Sequence, residues 1–565
     1  MSMDLVTAQL IGDSLVYASE EMGFALRNSA YSPNIKERMD HSAALFDPTG
    51  RLLAQAEHIP VHLGSLPWGL KRLIESCARE GPPIEEGVMV ASNDPYLTGT
   101  HLNDLTLLLP IHHRGELVAF AVNKAHHSDV GGLVPGSIST QAKTLFEEGF
   151  VLEPTVVWKE THFVEGALSK FSSASRTPQE RLGDIRAQAA ANITGSRRVK
   201  DLIGRYGLAA FKDAGAHLIS HAEAITKKRL SRLKKGTYSA VDYIEGPGGE
   251  DLKICARVTV TDRKVAIDYA GTSPQVDYPL NAVFGVTISG AHFAFRCLTG
   301  DDIPANHGTF SLLEVSAPAG CLVNPSRPHP VGGGNVETSQ RNADVLFRAF
   351  SRSAPRLVPA AAGGSMNNVI VGGKYRGKPW TFYETIGVGL GGSRSRDGVD
   401  GIQANMTNTM NTPVEEMERS FPFRVLRYEL RPDSGGPGRS RGGVGLIRTY
   451  MVLSDGTSFT VMAERERHPP WGLAGGKPGG MTEVRLTRGG STRRIPSKST
   501  HMLDSGDIVE VRTAGGGGFG SPRSRPRQMV EEDLADGLVS RESALRNYPR
   551  KPGRRPPSGR RTKSV

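Results

Sequence analysis

Cysteine is scarce in this chain, and long apolar runs are absent. The four cysteines are widely separated and form no Cys-x-x-Cys pair: Cys77, Cys255, Cys297 and Cys321. Neither a disulfide framework nor a cysteine zinc site is predicted, and we expect reduced, mostly buried thiols. No apolar run approaches the roughly 20 residues of a membrane span, and residues 1–23 lack the charged-then-apolar order of a secretion signal. These absences favour a cytoplasmic protein without a membrane partner.

A phosphate-binding loop is also missing. Glycines cluster at 332–334, 387–392 and 515–518, but no cluster has the G-x-x-x-x-G-K-[ST] pattern or the strand-loop-helix context of a dinucleotide site. We interpret these clusters mainly as turn-forming segments. The sequence therefore predicts no ATP site within this chain.

Acidic residues are absent from the C-terminal end. The net charge is +11, but residues 550–565 hold seven Lys or Arg residues and no acid, which leaves only +4 for the rest of the chain. This nearly balanced body argues against a nucleic-acid partner. Residues 548–565 are rich in Pro, Gly and Arg, and a segment with so little apolar surface to bury is predicted to be a disordered basic tail.

Glycine and proline are abundant, at 66 and 36 residues. This composition favours many turns and short strands, and we predict an α+β fold that forms one large intertwined structure. Its parts are an α/β N-terminal region with a helical segment (1–235), a mostly β region (236–522) and a closing helix (523–547). Apolar spacing also predicts a helix at 67–79 and helical structure over 178–233.

Residues 93–132 combine five histidines and three aspartates with two apolar runs. The two runs predict an antiparallel hairpin. A three-residue loop at 114–116 would place Asp104 directly opposite His126. A two-residue loop would shift this register by one residue unless a local bulge restored it.

A metal site is predicted on this hairpin. His101, three residues before Asp104, can turn onto the same side as Asp104 and His126. Two imidazoles and one carboxylate bind a divalent metal and leave coordination positions open for water or substrate. The alternative is a hydrogen-bonded polar loop that uses the same three residues without an ion.

Other polar residues of this segment are secondary candidates. His127 and Asp129 are predicted to orient the metal ligands or to take a proton in catalysis, with a place as reserve metal ligands as the alternative. Asp94 is a further candidate acid, with an ordinary turn cap as the alternative. His112 and His113 lie next to the turn and are interpreted as solvated loop histidines.

Polar residues follow the first glycine cluster at once. Asn335, Glu337, Thr338, Gln340 and Arg341 could present backbone N–H groups and side chains to a substrate carboxylate or phosphate at the start of a helix. The alternative is a capped helix with a structural arginine.

Five motifs make the chain resemble the hydantoinase B/oxoprolinase family over about residues 4–548. Their order and spacing are those of the family: AEHIPVHLGSLP (56–67), NDPYLTGTHLNDL (93–105), GGGNVETSQR (332–341), NMTNTMNTPVEEME (405–418) and GLAGGKPG (472–479). The family includes B subunits of ATP-dependent N-methylhydantoinases, the C-terminal half of 5-oxoprolinases and large subunits of acetone-type carboxylases.

The resemblance implies cofactors and a partner. In the carboxylase relatives a His-x-x-Asp pair and a later histidine hold manganese or a similar metal, and these positions match His101, Asp104 and His126. A divalent ion such as Mn, Zn or Fe is therefore expected here. The resemblance also implies a hetero-oligomer in which a hydantoinase A-type partner binds ATP and phosphorylates the amide oxygen of a small cyclic amide.

The resulting prediction is a hydrolase. The chain would be the B subunit of an ATP-dependent enzyme of the hydantoinase or 5-oxoprolinase type, which opens a five-membered lactam or imide ring. The alternatives are a subunit of an acetone-type carboxylase and a structural subunit that supports the ATP-binding partner. Asn405 departs from the pattern of many family members, which have histidine there, and this departure argues against a role of the position in catalysis or metal binding. Arg394 and Arg396 add positive charge that could attract an acidic substrate or face solvent.

Overall fold

The computed structural model describes residues 4–56 and 58–549. The predicted α+β class is confirmed, because helices make up 34% and strands 26% of the structure, and the strands of the described residues form four sheets. Among these residues, no helix combines the length and apolarity that crossing a membrane requires. The predicted basic tail lies, from Arg550 onward, outside the described residues.

The helices are numbered in chain order. They are α1 (Leu5–Ser29), α2 (Pro33–Lys36), α3 (His62–Arg79), α4 (Pro95–Thr98), α5 (Leu145–Glu148), α6 (Glu165–Ala174), α7 (Pro178–Tyr206), α8 (Leu208–Leu230), α9 (Phe284–Thr299), α10 (His307–Phe310), α11 (Ser339–Phe350), α12 (Val414–Ser420), α13 (Arg527–Ala535) and α14 (Arg541–Asn547). The helix-rich region predicted at 178–233 is thus α7 and α8, and the predicted closing helix is two helices on either side of Gly537.

The strands are numbered in the same way. They are β1 (His41–Phe46), β2 (Leu52–Ala56), β3 (Val88–Ser92), β4 (Asp104–His113), β5 (Glu116–His126), β6 (Thr155–Lys159), β7 (His162–Phe163), β8 (Gly236–Glu245), β9 (Asp251–Val260), β10 (Val265–Asp268), β11 (Leu313–Ser316), β12 (Asn368–Tyr375), β13 (Lys378–Thr385), β14 (Phe423–Leu430), β15 (Leu446–Val452), β16 (Thr457–Met462), β17 (Glu483–Arg488), β18 (Ser491–Ile495), β19 (Lys498–Leu503) and β20 (Ile508–Arg512).

The N-terminal sheet carries the predicted hairpin at its centre. Its strand order is β2-β1-β5-β4-β3-β6-β7, and every neighbouring pair is antiparallel. Helices α1 and α7 cover one face, and α3 packs on the other. Because both faces are covered, β4 and β5 are buried along almost their whole length.

Helix α3 begins earlier than predicted. The sequence indicates a start at Pro67, because proline is favoured in the first turn of a helix, but the helix begins at His62 and Pro67 lies inside it. The hydroxyl of Ser289 accepts hydrogen bonds from the first-turn N–H groups of Gly64 (3.1 Å) and Ser65 (2.8 Å), which stabilises the earlier start. This start fixes His62 next to the predicted metal site.

The C-terminal half is mostly β, as predicted. Strands β13-β12-β16-β19 and β14-β15-β20-β17-β18 form two sheets that bury a shared apolar cluster, which includes Val369, Phe459, Tyr450 and Val509. A third sheet, β11-β10-β9-β8, packs against α11. Helix α11 also contacts α9 and thereby connects this half to the N-terminal sheet, because α9 packs on α3.

The two later glycine clusters do not form turns, so that interpretation was wrong. A Cβ on Gly389 would lie 1.8 Å from the carbonyl oxygen of Gly443, and one on Gly516 would lie 2.0 Å from that of Leu390. Backbone segments therefore approach each other more closely than any side chain allows. These contacts join distant parts of the chain, and for that reason local sequence did not reveal them.

The four thiols are free, as predicted. Burial differs from the prediction, because only Cys77 and Cys321 are buried, whereas Cys255 is half-buried and Cys297 is exposed.

Candidate metal centre

The hairpin of β4 and β5 has the predicted register. Asp104 pairs directly with His126. Of the two loop lengths that the sequence allowed, the shorter is present, because the loop holds only Arg114 and Gly115. Both have positive φ, 54° and 80°, which is typical of a two-residue hairpin turn.

A β-bulge reconciles the short loop with the register. Ile111 pairs with Ala119 and His112 with Leu117, so Val118 has no partner in β4. One extra residue on one strand shifts the pairing by one, and this shift brings Asp104 and His126 opposite each other. The structure thus uses the alternative that the sequence had left open.

Three side chains converge at this end of the hairpin. His101, Asp104 and His126 are buried, and one ligand-type atom of each lies within 4.8 Å of the others. His101 Nε2 is 3.5 Å from Asp104 Oδ1, and the two imidazole centroids are 4.9 Å apart. The three predicted metal ligands therefore form one compact cluster.

Two distant residues fix the ring of His126. The Nδ2 of Asn34 donates to the main-chain oxygen of His126 (2.7 Å) and lies 2.8 Å from its Nδ1. Tyr383 of β13 stacks on the imidazole, with ring centroids 4.7 Å apart and an angle of 10° between the ring planes. Arg38 donates to Asn34 Oδ1 and lies over the Tyr383 ring. The orientation of His126 is thus set by packing from β13 and by the segment before β1.

Asp104 also has support beyond the other two ligands. His62 Nε2 is 3.5 Å from Asp104 Oδ2, and His62 Nδ1 is 2.9 Å from Ser42 Oγ. The Nζ of Lys124, which is buried nearby, donates to Thr98 O at 2.7 Å. Asp104 is therefore held between histidines at the base of α3.

Burial and neighbouring side chains shift the pKa values of several groups in and around the cluster. Burial lowers the pKa of His62, and it lowers the pKa of His126 well below the usual value, so both rings are neutral at pH 7. Burial alone would raise the pKa of Asp104, but the neighbouring His101 and His62 outweigh it and hold that pKa well below its usual range. Burial also lowers the pKa of Lys124 to about 7, an effect that Asp104 partly offsets. A carboxylate and neutral imidazoles are the forms that bind metals.

The donor set fits a divalent ion. Both ring nitrogens of His101, Oδ2 of Asp104 and Nε2 of His126 are buried and have no hydrogen-bond partner among the described residues. Burying polar atoms without hydrogen-bond partners costs free energy, so such a group of atoms indicates a bound ligand. Two imidazoles and a carboxylate suit Mn, Zn or Fe.

The predicted catalytic residues of the following loop make other contacts. His127 Nε2 is 3.0 Å from Gln188 Oε1. Asp129 accepts hydrogen bonds from the backbone N–H groups of Gly136 (2.9 Å) and Arg176 (2.9 Å). These contacts anchor the loop after β5 to α7 and its preceding segment, and a catalytic role for either residue stays a prediction.

Asp94 also makes contacts that give it a structural role. Its side chain accepts from the N–H of Tyr96 (2.9 Å) at the start of α4 and forms an ion pair with Arg327 (3.2 Å). Burial raises its pKa. Asn405 Nδ2 donates to Asp344 Oδ1 at 3.0 Å. The turn-capping alternative for Asp94 is thus present, and its role as an acid stays a prediction.

The helix after the first glycine cluster begins with a π-helical turn, Gly334–Thr338, that continues directly into α11. Three of the predicted substrate ligands are buried and engaged there. Thr338 Oγ1 donates to Leu280 O (2.5 Å), Gln340 Nε2 donates to Ala404 O (2.9 Å), and Arg341 pairs with Glu464 (3.1 Å). These contacts fasten α11 to its neighbours, and substrate binding by the three residues stays a prediction.

Glu337 is linked to the candidate metal centre. The hydroxyl of Tyr383 donates to Asn368 Oδ1 (2.8 Å), and Asn368 Nδ2 donates to Glu337 Oε1 (2.8 Å). Since Tyr383 stacks on His126, two hydrogen bonds and one ring contact join Glu337 to the cluster. Glu337 Oε2 and Asn335 Oδ1 are buried and have no partner among the described residues. Gln340 Oε1 is likewise buried without a partner in the described part of the chain. Within the predicted substrate-binding set, the side-chain oxygens that lack a hydrogen-bond partner therefore belong to Asn335, Glu337 and Gln340.

The glycine cluster before this helix is held by a buried carboxyl group. Glu148 accepts hydrogen bonds from the N–H groups of Val331 (2.9 Å) and Gly332 (2.7 Å). Burial raises the pKa of Glu148 to about 8, although these two hydrogen bonds lower it. The group therefore binds a proton more tightly in the folded protein than in the unfolded chain.

This difference predicts a pH-dependent contribution to stability. Below pH 4.5 Glu148 is protonated in both states, and between pH 4.5 and 8 only the unfolded chain releases the proton. The free energy of unfolding should therefore fall as pH rises through this window, by up to about 1.4 kcal/mol per pH unit from this one group. The Glu148→Gln variant should lack this component in denaturation curves, whereas Glu86→Gln, at an exposed glutamate, should follow the unmodified chain. Equal pH slopes for all three proteins would contradict the assignment.

Sequence reasoning missed four residues of the centre: Asn34, Arg38, His62 and Tyr383. Asn34 and Arg38 lie in a polar segment between α1 and β1, and both are buried. A polar segment between two buried elements is a sequence signal that could have indicated residues of a site. His62 belongs to the motif at 56–67 and precedes the expected helix start at Pro67. No local pattern marks Tyr383.

Comparisons with known proteins give one consistent result. A family model described as hydantoinase B/oxoprolinase matches residues 4–522. The chain is 44% identical over 546 residues to an uncharacterised protein of Methanocaldococcus jannaschii, covering 97% of this chain and 96% of that protein. A protein of Pseudomonas sp. described as the B component of a D-/L-hydantoinase is 30% identical, with 97% and 95% covered. The 5-oxoprolinase of Dictyostelium discoideum is 34% identical over 92% of this chain but only 41% of its own length.

Solved structures share the fold. The ATP-dependent caprolactamase from Pseudomonas jessenii superposes with a TM-score of 0.91 at 28% identity and covers 97% of this chain and 96% of its own. An acetone carboxylase superposes with a TM-score of 0.90 at 20% identity, with 96% and 79% covered. The chain thus spans nearly the whole of some relatives and about two fifths of the 5-oxoprolinase.

Proposed function

The chain belongs to the hydantoinase B/oxoprolinase family, and from this premise we propose that it is the B-type subunit of an ATP-dependent hydrolase that opens a five-membered lactam or imide ring. An A-type partner binds ATP and activates the amide, and this chain opens the activated ring. The absence of a phosphate-binding loop from the sequence and the relative described as a hydantoinase B component support this division. So does the 5-oxoprolinase, whose single chain is more than twice as long as the matched part.

One observation carries the proposal. His101, Asp104 and His126 place buried, unpartnered ligand atoms within 4.8 Å of one another. These three residues would hold a divalent ion. When bound, the ion would polarise the oxygen of the activated amide and acidify a water molecule.

The surrounding residues orient the side chains of this cluster and bury them. The contact of Asn34 Nδ2 with Nδ1 and the stacked ring of Tyr383 hold the imidazole of His126 in one orientation. His62, whose Nδ1 contacts Ser42, packs beside Asp104 with its Nε2 3.5 Å from Oδ2. Complete burial of the cluster excludes bulk water, which strengthens every electrostatic interaction there.

The experiment is a substrate screen on the complex of this chain with its A-type partner. We expect ATP-dependent ring opening of 5-oxoproline or a hydantoin, and no product when ATP is omitted. The readouts are release of ADP and of the ring-opened acid, followed by chromatography.

Two other outcomes of the substrate screen would contradict the proposal. A carboxylated product from a ketone and bicarbonate, with no ring opening, would replace the proposal by the carboxylase alternative, whose known structure shares the fold. Conversion of cyclic amides by the A-type partner alone, at the rate of the complex, would make this chain a structural subunit.

A further inference from the structure

A cleft of about 590 Å³ lies at the N-terminal end of α3. Its lining residues include Gln55 of β2, Ile59 of the turn before α3, Leu63 in the first turn of α3, and Arg396 from the C-terminal half. Its volume is within the range of sites that bind small molecules. The cleft is therefore large enough for a five-membered ring with one substituent.

The turn that lines the cleft also reaches the metal centre. The N–H of Ile59 donates to Ser42 Oγ (3.3 Å), and the same hydroxyl contacts His62 Nδ1 (2.9 Å). His62 Nε2 is 3.5 Å from Asp104 Oδ2. Ile59 and Leu63 thus form the wall of the cleft, while His62 between them contacts a predicted metal ligand.

Gln55 is the polar feature of the cleft that the fold does not explain. The residue is only 5% exposed, and neither Nε2 nor Oε1 has a hydrogen-bond partner among the described residues. Buried carboxamides are normally satisfied, so this one indicates a ligand. A primary carboxamide presents a donor and an acceptor side by side, and the cis amide of a lactam ring presents the complementary pair.

The charged lining favours an acidic ligand. Arg296 and Arg396 line the cleft together with one acid, Asp301. The exposed guanidinium of Arg396 forms no ion pair with the part of the chain that the structure describes. A guanidinium binds a carboxylate through two parallel hydrogen bonds, which makes it selective for that group.

We propose that this cleft recognises the cyclic amide, with Gln55 pairing with the amide edge of the ring and Arg396 pairing with an acidic ring substituent. The inference rests on the proposed function, since it takes a cyclic amide as the substrate class. It assigns the preference for an acid-bearing ring to Arg396, one of the two arginines that the sequence could not place.

The test measures binding to the intact complex without ATP. The probes are 5-oxoproline, which carries a carboxylate, and 2-pyrrolidinone, the same ring without it, titrated by calorimetry. Arg396→Ala should raise the Kd of 5-oxoproline about tenfold or more and leave that of 2-pyrrolidinone unchanged. Gln55→Leu should weaken both ligands, and Arg394→Ala, at an exposed neighbour outside the cleft lining, should change neither.

The outcomes separate this inference from the proposed function. Unchanged Kd values for both probes in Arg396→Ala and Gln55→Leu, or no saturable binding of either probe, would overturn the inference. Ring opening with unchanged KM in the same variants would overturn it while leaving the function standing. Arg396-dependent binding of 5-oxoproline by a complex that converts no cyclic amide would support the site and refute the function. Because Arg396 is on the surface, its variant tests the proposal even if Gln55→Leu does not fold.

Discussion

Replacement of His101 by alanine is expected to abolish ring opening by the complex while ATP hydrolysis by the A-type partner continues. The variant keeps Asp104 and His126 but loses one of three ligands, and a metal site of two donors binds weakly. A divalent ion held by the three ligands would contribute several kcal/mol of transition-state stabilisation, so the rate of product formation should fall about a thousandfold or more. Parallel assays of ADP and of the ring-opened product measure the two activities separately.

A matched control lies on the same hairpin. His113→Ala changes a half-buried histidine beside the turn, far along β4 from Asp104, and should leave both activities unchanged. If His101→Ala retained ring opening at the rate of the unmodified complex, the cluster would have a structural role only. If both products were lost together, the change would have disturbed assembly with the A-type partner instead.

Replacement of Arg341 by methionine is expected to destabilise the protein strongly. The guanidinium is fully buried and donates to Glu464 Oε2 at 3.1 Å, with carboxylate oxygens of Asp344 and Asp242 at 3.8 Å and 4.0 Å. Removing the cation breaks this buried network and leaves Glu464 with Lys498 and Asp344 with Arg465 as their remaining partners. Breaking a buried ion pair costs up to about 3–5 kcal/mol. Denaturation by urea, followed by circular dichroism, should show a clearly lower midpoint.

This second prediction decides between the two roles that the sequence allowed for Arg341. The control is Arg352→Met, at an exposed arginine just beyond α11, which should leave the midpoint within experimental error. An unchanged midpoint for Arg341→Met together with a large increase in KM would assign the residue to substrate binding. A lower midpoint with unchanged KM in the folded fraction would assign it to the buried ion network.

The fold was predictable where the signal is local. Alternating apolar runs located β4 and β5, and apolar spacing located α7 and α8. The start of α3 was not predictable, because the acceptor for its first N–H groups is Ser289, more than two hundred residues away. The later glycine clusters were misinterpreted for the same reason, since the backbone that Gly389 and Gly516 approach is distant in sequence.

The residues of the candidate site were likewise predictable only where they are close in sequence. His101, Asp104 and His126 were identifiable because one hairpin brings them together, and a bulge rather than a longer loop sets their register. Tyr383 belongs to a different sheet and reaches His126 only through the packing of the two halves. Spacing along the chain carries no information on such a contact.

The most direct test of the account is an anomalous-scattering map from crystals of the metal-supplemented complex, together with elemental analysis of the same preparation. We predict one divalent ion per chain and a single peak in contact with His101, Asp104 and His126, and neither in the His126→Ala variant. A preparation without bound metal, or a map in which these three side chains point away from one another, would contradict it.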